Sequence, residues 1–115
     1  MRDRIPDPCR LLVVGINPGR LSDAYDAPFA HPGNRFWPAL ARAGIAPHRV
    51  DATKGISEAD ATMLAELGIG FTNFVDRMTP RAANLTREEL IAGGEKVRVC
   101  VEKHEPNAVM VVGIG

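Results

Sequence analysis

The sequence predicts an α/β fold, a three-layer α/β/α sandwich around a short, mainly parallel central sheet. Three short apolar runs, residues 10–16, 69–75 and 108–112, predict strands, and the first is typical of a buried parallel strand. The segments between these runs carry helix start signals. Strands separated by helices imply parallel pairing with right-handed crossovers, so the expected sheet is parallel.

The first strand runs into a glycine and proline turn at residues 15–19. Residues 17–34 are predicted to be loop because they are rich in Gly, Pro, Asp and Asn. A helix is predicted from about Asn34, as its N-cap, to Gly44. Pro38 is tolerable there because it falls in the first turn.

Two helices of the second half begin at capping boxes, in which a Ser or Thr side chain accepts the N–H three residues on. Residues 57–60 open the first of them, which runs to Gly68. Residues 86–89 open the second, which ends before Pro106. Three apolar residues are predicted to share one face of that second helix: Leu90, Val97 and Val101.

Length and composition are those of one globular domain, residues 1–115, with 45% hydrophobic residues. No apolar run reaches the roughly 18 residues of a membrane span, and residues 1–6 lack the apolar stretch of a signal peptide. We therefore expect a cytoplasmic, nucleoid-associated protein with no membrane partner. Cys9 and Cys100 are not in metal-ligand spacing, so no metal site is predicted.

The formal net charge is zero, but the two halves of the chain differ in charge. Residues 1–50 carry seven arginines against four aspartates, whereas residues 51–115 carry seven basic against ten acidic residues. Guanidinium groups match the geometry of phosphates, which favours a nucleic-acid partner for the first half. Scattered solvated charges are the alternative interpretation.

Three segments together carry a resemblance to a known family: residues 15–19 (GINPG), residues 28–37 (PFAHPGNRFW) and residues 70–77 (GFTNFVDR). From Leu11 to Gly115 the chain resembles the mismatch-specific uracil/thymine-DNA glycosylases, a branch of the uracil-DNA glycosylase superfamily. The resemblance implies a monofunctional enzyme of base excision repair that hydrolyses uracil from mispairs with guanine. Thymine and damaged pyrimidines are further candidate substrates.

The resemblance also implies the partners of the protein. Its substrate would be double-stranded DNA with the target base flipped out of the helix, its full-length form would be a monomer, and it would need no cofactor. Relatives continue beyond the position of Gly115 with a strand, a wedge loop and a helix. We therefore expect a domain that is truncated at its C-terminus.

Asn17 is the catalytic residue that the resemblance implies, because the family's asparagine holds the attacking water. Glycosidic cleavage makes the sugar oxocarbenium-like while negative charge builds on the departing base. A neutral amide is suited to positioning water but is a poor base. From the residues alone, Asn17 as a hydrogen-bonded cap of its own turn remains an alternative.

A base pocket is implied around Phe29, whose ring would stack on the flipped base. An ordinary core phenylalanine is the alternative for Phe29. The resemblance also implies that backbone amides at Ile16 and Phe29 contact the carbonyl oxygens of the base. The predicted pocket residues are Gly15, Ile16, Ser22, Tyr25, Phe29, Thr72 and Asn73.

Contacts to the DNA backbone are predicted at Gly19, His31, Asn34 and Arg35. His31 is expected to hold its loop or approach a phosphate rather than act as a general acid. Trp37, at helical spacing from Leu40 and Ala41, is expected to be core, and Asp76 and Arg77 to form an ion pair that closes a turn.

Two other functions remain open from the residues. A non-catalytic nucleic-acid or nucleobase binding module, or a decayed glycosylase fragment, is the main alternative. The turn at residues 15–19 also resembles a nucleotide-phosphate loop of a Rossmann-like enzyme. However, it lacks the Gly-x-Gly-x-x-Gly order and has Pro18 where a donor N–H is wanted.

Overall fold

The computed structural model describes residues 1–113 and confirms the predicted α/β class. Its strands are β1 (Leu11–Gly15), β2 (Ile69–Asn73) and β3 (Ala108–Val111). Its helices are α1 (Arg20–Tyr25), α2 (Phe36–Arg42), α3 (Glu58–Glu66) and α4 (Arg87–His104), with a short 3-10 turn at Ala82–Asn84. The predicted continuation of the last segment into Ile114 and Gly115 lies outside the described residues.

The three described strands form one parallel sheet in the order β2-β1-β3. Leu11 of the central strand lies opposite Ile69 of β2 and Ala108 of β3. Because all three strands run the same way, their carboxyl ends share one edge of the sheet. This edge is where open α/β sheets bind ligands.

The sheet has helices on both faces, which gives the predicted three layers. Val13 and Phe71 pack on one face with residues of α2 and α3, among them Trp37 and Leu64. Leu12 and Val14 point to the opposite face, because side chains alternate along a strand. There they pack against Val97, Cys100 and Val101 of α4. Trp37 is 3% exposed, which confirms that it is a core residue.

The two capping boxes of the second half are confirmed at their serine and threonine ends. The Ser57 hydroxyl accepts from the backbone N–H of Asp60 at 3.1 Å. The Thr86 and Glu89 pair is reciprocal, with each side chain accepting the other's backbone N–H. The predicted apolar face of α4 was partly wrong, because Leu90 is 40% exposed.

The prediction of loop through residues 17–34 was partly wrong, because α1 occupies Arg20–Tyr25 within it. This helix has six residues and no side-chain N-cap, so its sequence carries no start signal. The bond from Ala27 N–H to the Ser22 carbonyl at 3.1 Å closes its C-terminal end, and a contact from a distant segment, Arg4 Nη2 to the Asp26 carbonyl at 2.8 Å, holds that end in place. The next helix starts at Phe36 rather than about Asn34, since Arg35 is its N-cap and Asn34 Oδ1 accepts the Phe36 N–H at 2.8 Å.

Three remaining features concern the described residues as a whole. No helix within residues 1–113 is both long and apolar enough to cross a membrane. In the same range, no group of three or more His, Cys, Asp or Glu side chains is arranged to hold a metal ion. Cys9 and Cys100 are free, and burial raises the pKa of both thiols.

Candidate active site

A cavity of about 280 Å³ opens at the carboxyl edge of the sheet. Its walls come from the turn after β1, from α1, from the loop that follows α1, from the end of β2 and from the loop after β2. The volume lies near the lower end of the roughly 300–1,000 Å³ that small-molecule sites occupy. The cavity is therefore suited to a ligand of small, base-like size.

Most of the predicted site residues line this one cavity. The ten that do so are Gly15, Ile16, Asn17, Gly19, Ser22, Phe29, His31, Asn34, Thr72 and Asn73. Tyr25 does not line it, since its position at the end of α1 leaves the side chain 44% exposed. Arg35 does not line it either and is exposed at the start of α2.

The turn after β1 approaches the end of β2 closely at Gly15. A Cβ atom at this position would lie 2.4 Å from Oδ1 of Asn73 and 3.9 Å from the Phe29 ring. Backbone bonds tie the two segments further, with Phe74 N–H donating to the Gly15 carbonyl at 2.9 Å. Only glycine at this position lets the asparagine and the aromatic ring share one wall of the cavity.

Asn17 is held by the loop that follows β2. Its Nδ2 donates to the backbone carbonyl of Arg77 at 3.0 Å and to the Thr79 hydroxyl at 2.6 Å. A backbone carbonyl only accepts hydrogen bonds, so the amide must present its NH₂ group to Arg77. Both amide protons are then engaged, and Oδ1 is the polar side-chain atom that remains for a ligand or a water.

Thr79 supports this orientation from the other side. Its hydroxyl is buried and donates to the Arg81 carbonyl at 2.7 Å, so it must accept from Asn17. The backbone N–H of Thr79 reaches the Pro18 carbonyl at 3.4 Å. Thr79 therefore fixes both the side chain and the neighbouring backbone of the turn.

Asn73 lines the cavity and carries a buried side-chain donor without a partner. The residue is 5% exposed, and its Nδ2 has no hydrogen-bond partner in the described protein. A buried polar group without a partner costs about 1–3 kcal/mol. A ligand carbonyl that reached this nitrogen would recover that cost.

Phe29 combines an unusual backbone with aromatic packing. Its φ angle is +54°, in the left-handed region that non-glycine residues seldom adopt. Its ring centroid lies 4.4 Å from that of Phe36. Phe36, which does not line the cavity, thus packs against Phe29, which does.

Three further cavity residues have their polar groups partly engaged. Ser22 Oγ accepts from the Ala30 N–H at 3.2 Å, and the Thr72 hydroxyl donates to Asp3 at 2.9 Å. His31 Nδ1 accepts from the Gly33 N–H at 2.9 Å, so its neutral ring keeps a donor at Nε2. His31 thus contacts its own loop, which is one of the two roles predicted for it.

The cavity is almost free of ionisable side chains. Among the described residues, His31 is the one titratable side chain that lines it. Amides, hydroxyls and apolar groups supply most of the rest of the wall. Met1 also lines it, and its α-amino group pairs with Asp23 at 3.4 Å. Such a lining suits a neutral ligand. Among the described residues it contains no carboxylate that could act as a base or a nucleophile. It also disfavours the phosphate-loop alternative, since no arginine or lysine among these residues faces an anion there.

Sequence reasoning missed Thr79 and its loop. The expected ion pair between Asp76 and Arg77 was wrong, because each side chain reaches α4 instead. Asp76 pairs with Lys96 at 2.9 Å, and Arg77 pairs with Glu89 at 2.8 Å. The available signal was the position of Thr79 in the first loop after β2, at the same sheet edge as Asn17.

The sequence was compared with models of known protein families, and one family matches. Residues 3–115 match the family described as the Uracil DNA glycosylase superfamily. The match covers nearly the whole chain and includes all three segments that carried the resemblance. It supports a hydrolytic DNA glycosylase acting on uracil. The chain belongs to the uracil DNA glycosylase superfamily.

Proposed function

We propose that the protein is a monofunctional, mismatch-specific DNA glycosylase that removes uracil opposite guanine in base excision repair. Thymine and damaged pyrimidines opposite guanine are the further substrates of the proposal. One observation supports the proposed hydrolysis: both amide protons of Asn17 are bound by the loop after β2, which leaves its carbonyl oxygen for a water in the cavity. The mismatch preference comes from the resemblance to the mismatch-specific branch of the superfamily.

In the proposed reaction, Asn17 Oδ1 accepts a hydrogen bond from the attacking water. The water oxygen forms a bond to the anomeric carbon of the sugar as the bond from that carbon to the base nitrogen breaks. The electron pair of the broken bond leaves with the base, and the proton of the water passes to solvent. Asn17 aligns the water without deprotonating it, so the rate depends on how well the base carries negative charge.

The part of the cavity wall that Asn73 and Phe29 form would receive the departing base. Nδ2 of Asn73 is unpartnered and buried, and it would donate to a carbonyl oxygen of uracil as charge develops there. The Phe29 ring would stack on the base. Donors placed for the developing charge, rather than for the neutral base, would lower the barrier.

The lining of the cavity also bears on the type of product. No lysine is among the described residues that line it, and the α-amino group of Met1, which also lines it, is paired with Asp23 at 3.4 Å, so the proposed reaction passes through no Schiff base. Water is the nucleophile. The product would be an abasic site in an intact strand, together with free uracil.

The test uses end-labelled duplexes with one G·U, A·U or G·T pair and a single-stranded uracil oligonucleotide. Single-turnover uracil release is measured, and half of each sample is treated with alkali to cut abasic sites. We expect release to be fastest from G·U and strand breaks to appear after alkali alone. Equal rates from G·U and A·U would overturn the mismatch preference, and duplex binding without release would support the binding-module alternative.

A further inference from the structure

A bidentate ion pair fastens the loop that holds Asn17. Arg77 Nε and Nη2 donate to the two carboxylate oxygens of Glu89 at 2.9 and 2.8 Å. Arg77 also reaches the Asn84 carbonyl at 3.4 Å, so its side chain spans the loop. Glu89 belongs to the first turn of α4, which packs on the sheet through its Val97 and Val101.

Arg77 makes one contact with its side chain and another with its backbone carbonyl. The guanidinium of Arg77 is bound to α4, while its backbone carbonyl accepts from Asn17 Nδ2 at 3.0 Å. A shift of the Arg77 backbone would therefore move one of the two acceptors that orient the amide. Neither Arg77 nor Glu89 lines the cavity.

Glu89 is itself held in place by its helix. Its Oε1 accepts the backbone N–H of Thr86 at 3.0 Å as part of the capping box. The Arg77 hydrogen bonds and the Thr86 N–H hold the pKa of Glu89 at about 2, so the carboxylate is ionised across the range in which the enzyme would work. The pair thus links the start of α4 to the loop that holds Asn17.

We infer that the Arg77–Glu89 ion pair is a positioning element for Asn17, acting through the Arg77 carbonyl. This inference rests on the proposed function for its kinetic consequence. The pair lies on the surface, where ion pairs contribute little to stability, so its value is in the geometry of the amide rather than in the free energy of unfolding. Weakening it should slow uracil release more than it weakens duplex binding.

Two variants separate the ion pair from the helix cap. Glu89→Gln keeps an oxygen for the Thr86 N–H, since glutamine also serves in a capping box, but it removes the charge. Arg77→Lys keeps the charge but loses the two-pronged geometry. Arg98→Gln is the matched control, because Arg98 pairs with Glu95 and Glu102 on α4 with no link to Asn17.

The kinetic test measures single-turnover uracil release from G·U duplex and the affinity for that duplex. We expect Glu89→Gln to slow release about tenfold with affinity within about twofold, as for coupling between residues in one network. In an Asn17→Ala background the same change should have no further effect. An equal slowing in both backgrounds would overturn the inference, since the effect would then not pass through Asn17.

A second readout needs no activity. The side-chain amide protons of Asn17, followed by NMR in the free protein, should shift in Glu89→Gln and Arg77→Lys but not in Arg98→Gln. Unchanged Asn17 resonances in the first two variants would overturn the inference even if uracil release were normal. A wild-type protein that releases no uracil would contradict the proposed function while these resonances still test the ion pair.

Discussion

The side-chain nitrogen of Asn17 lies 2.6 Å from the hydroxyl oxygen of Thr79, although 62 positions separate the two residues in sequence. This contact joins the turn after β1 to the loop after β2. Since the Thr79 hydroxyl donates onward to the Arg81 carbonyl, it accepts from the amide and fixes which way the amide faces. Asn17 is thereby set to accept, and not to donate, in the cavity.

Replacing this hydroxyl should slow the reaction. Thr79→Val has a similar shape but no acceptor for Asn17, and one net hydrogen bond is worth about 1 kcal/mol, or roughly fivefold in rate. We expect uracil release from G·U duplex to fall about five- to tenfold in single-turnover assays. Thr79→Ser keeps the hydroxyl and should stay within about twofold of wild type. A valine variant as fast as the serine variant would contradict this role.

The close approach of Gly15 to Asn73 leads to a second prediction. In Gly15→Ala the new methyl group would overlap Oδ1 of Asn73, displacing an amide from the cavity wall. Overpacking of this kind costs about 1–3 kcal/mol, and uracil release should fall at least about tenfold. Gly94→Ala is the control, because nothing lies within 4 Å of its Cβ position. A Gly15→Ala variant with normal activity and a normal Tm would refute the account of this wall.

Replacing Asn73 should lower activity without lowering stability. Asn73→Ala removes a buried donor that has no partner, so the free energy of unfolding should not fall. Uracil release should fall about ten- to a hundredfold, since the departing base loses a donor. Asn107→Ala, at an exposed position, should change neither quantity. A destabilised Asn73→Ala variant with full activity would contradict the proposed contact.

The sheet and most of the cavity could be predicted from the sequence because their signals lie in neighbouring residues. Strands such as Leu11–Gly15 are continuous apolar runs, and Thr86 and Glu89 cap α4 through local bonds, so both signals are visible in adjacent residues. Gly15, Asn17 and Asn73 follow strand ends, and parallel strands bring their ends together. Local patterns therefore predicted the sheet edge at which these residues meet, and the resemblance to a known family implied their roles there.

The features that were missed depend on contacts between distant segments. Helix α1 has no capping side chain and six residues, so tertiary packing rather than propensity forms it. Its actual geometry turns Ser22 inward and leaves Tyr25 exposed. The partners of Arg77 and Asp76 lie on α4, and no pattern near these two residues indicates which residues of the helix they reach.

The central claim is that Asn17 positions the attacking water. Its most direct test is single-turnover uracil release from a G·U duplex by wild type and Asn17→Ala, with duplex affinity followed by fluorescence anisotropy. We expect the variant to lose about a hundredfold or more in rate, while its affinity stays within about threefold of wild type. Equal rates for the two proteins would contradict the account.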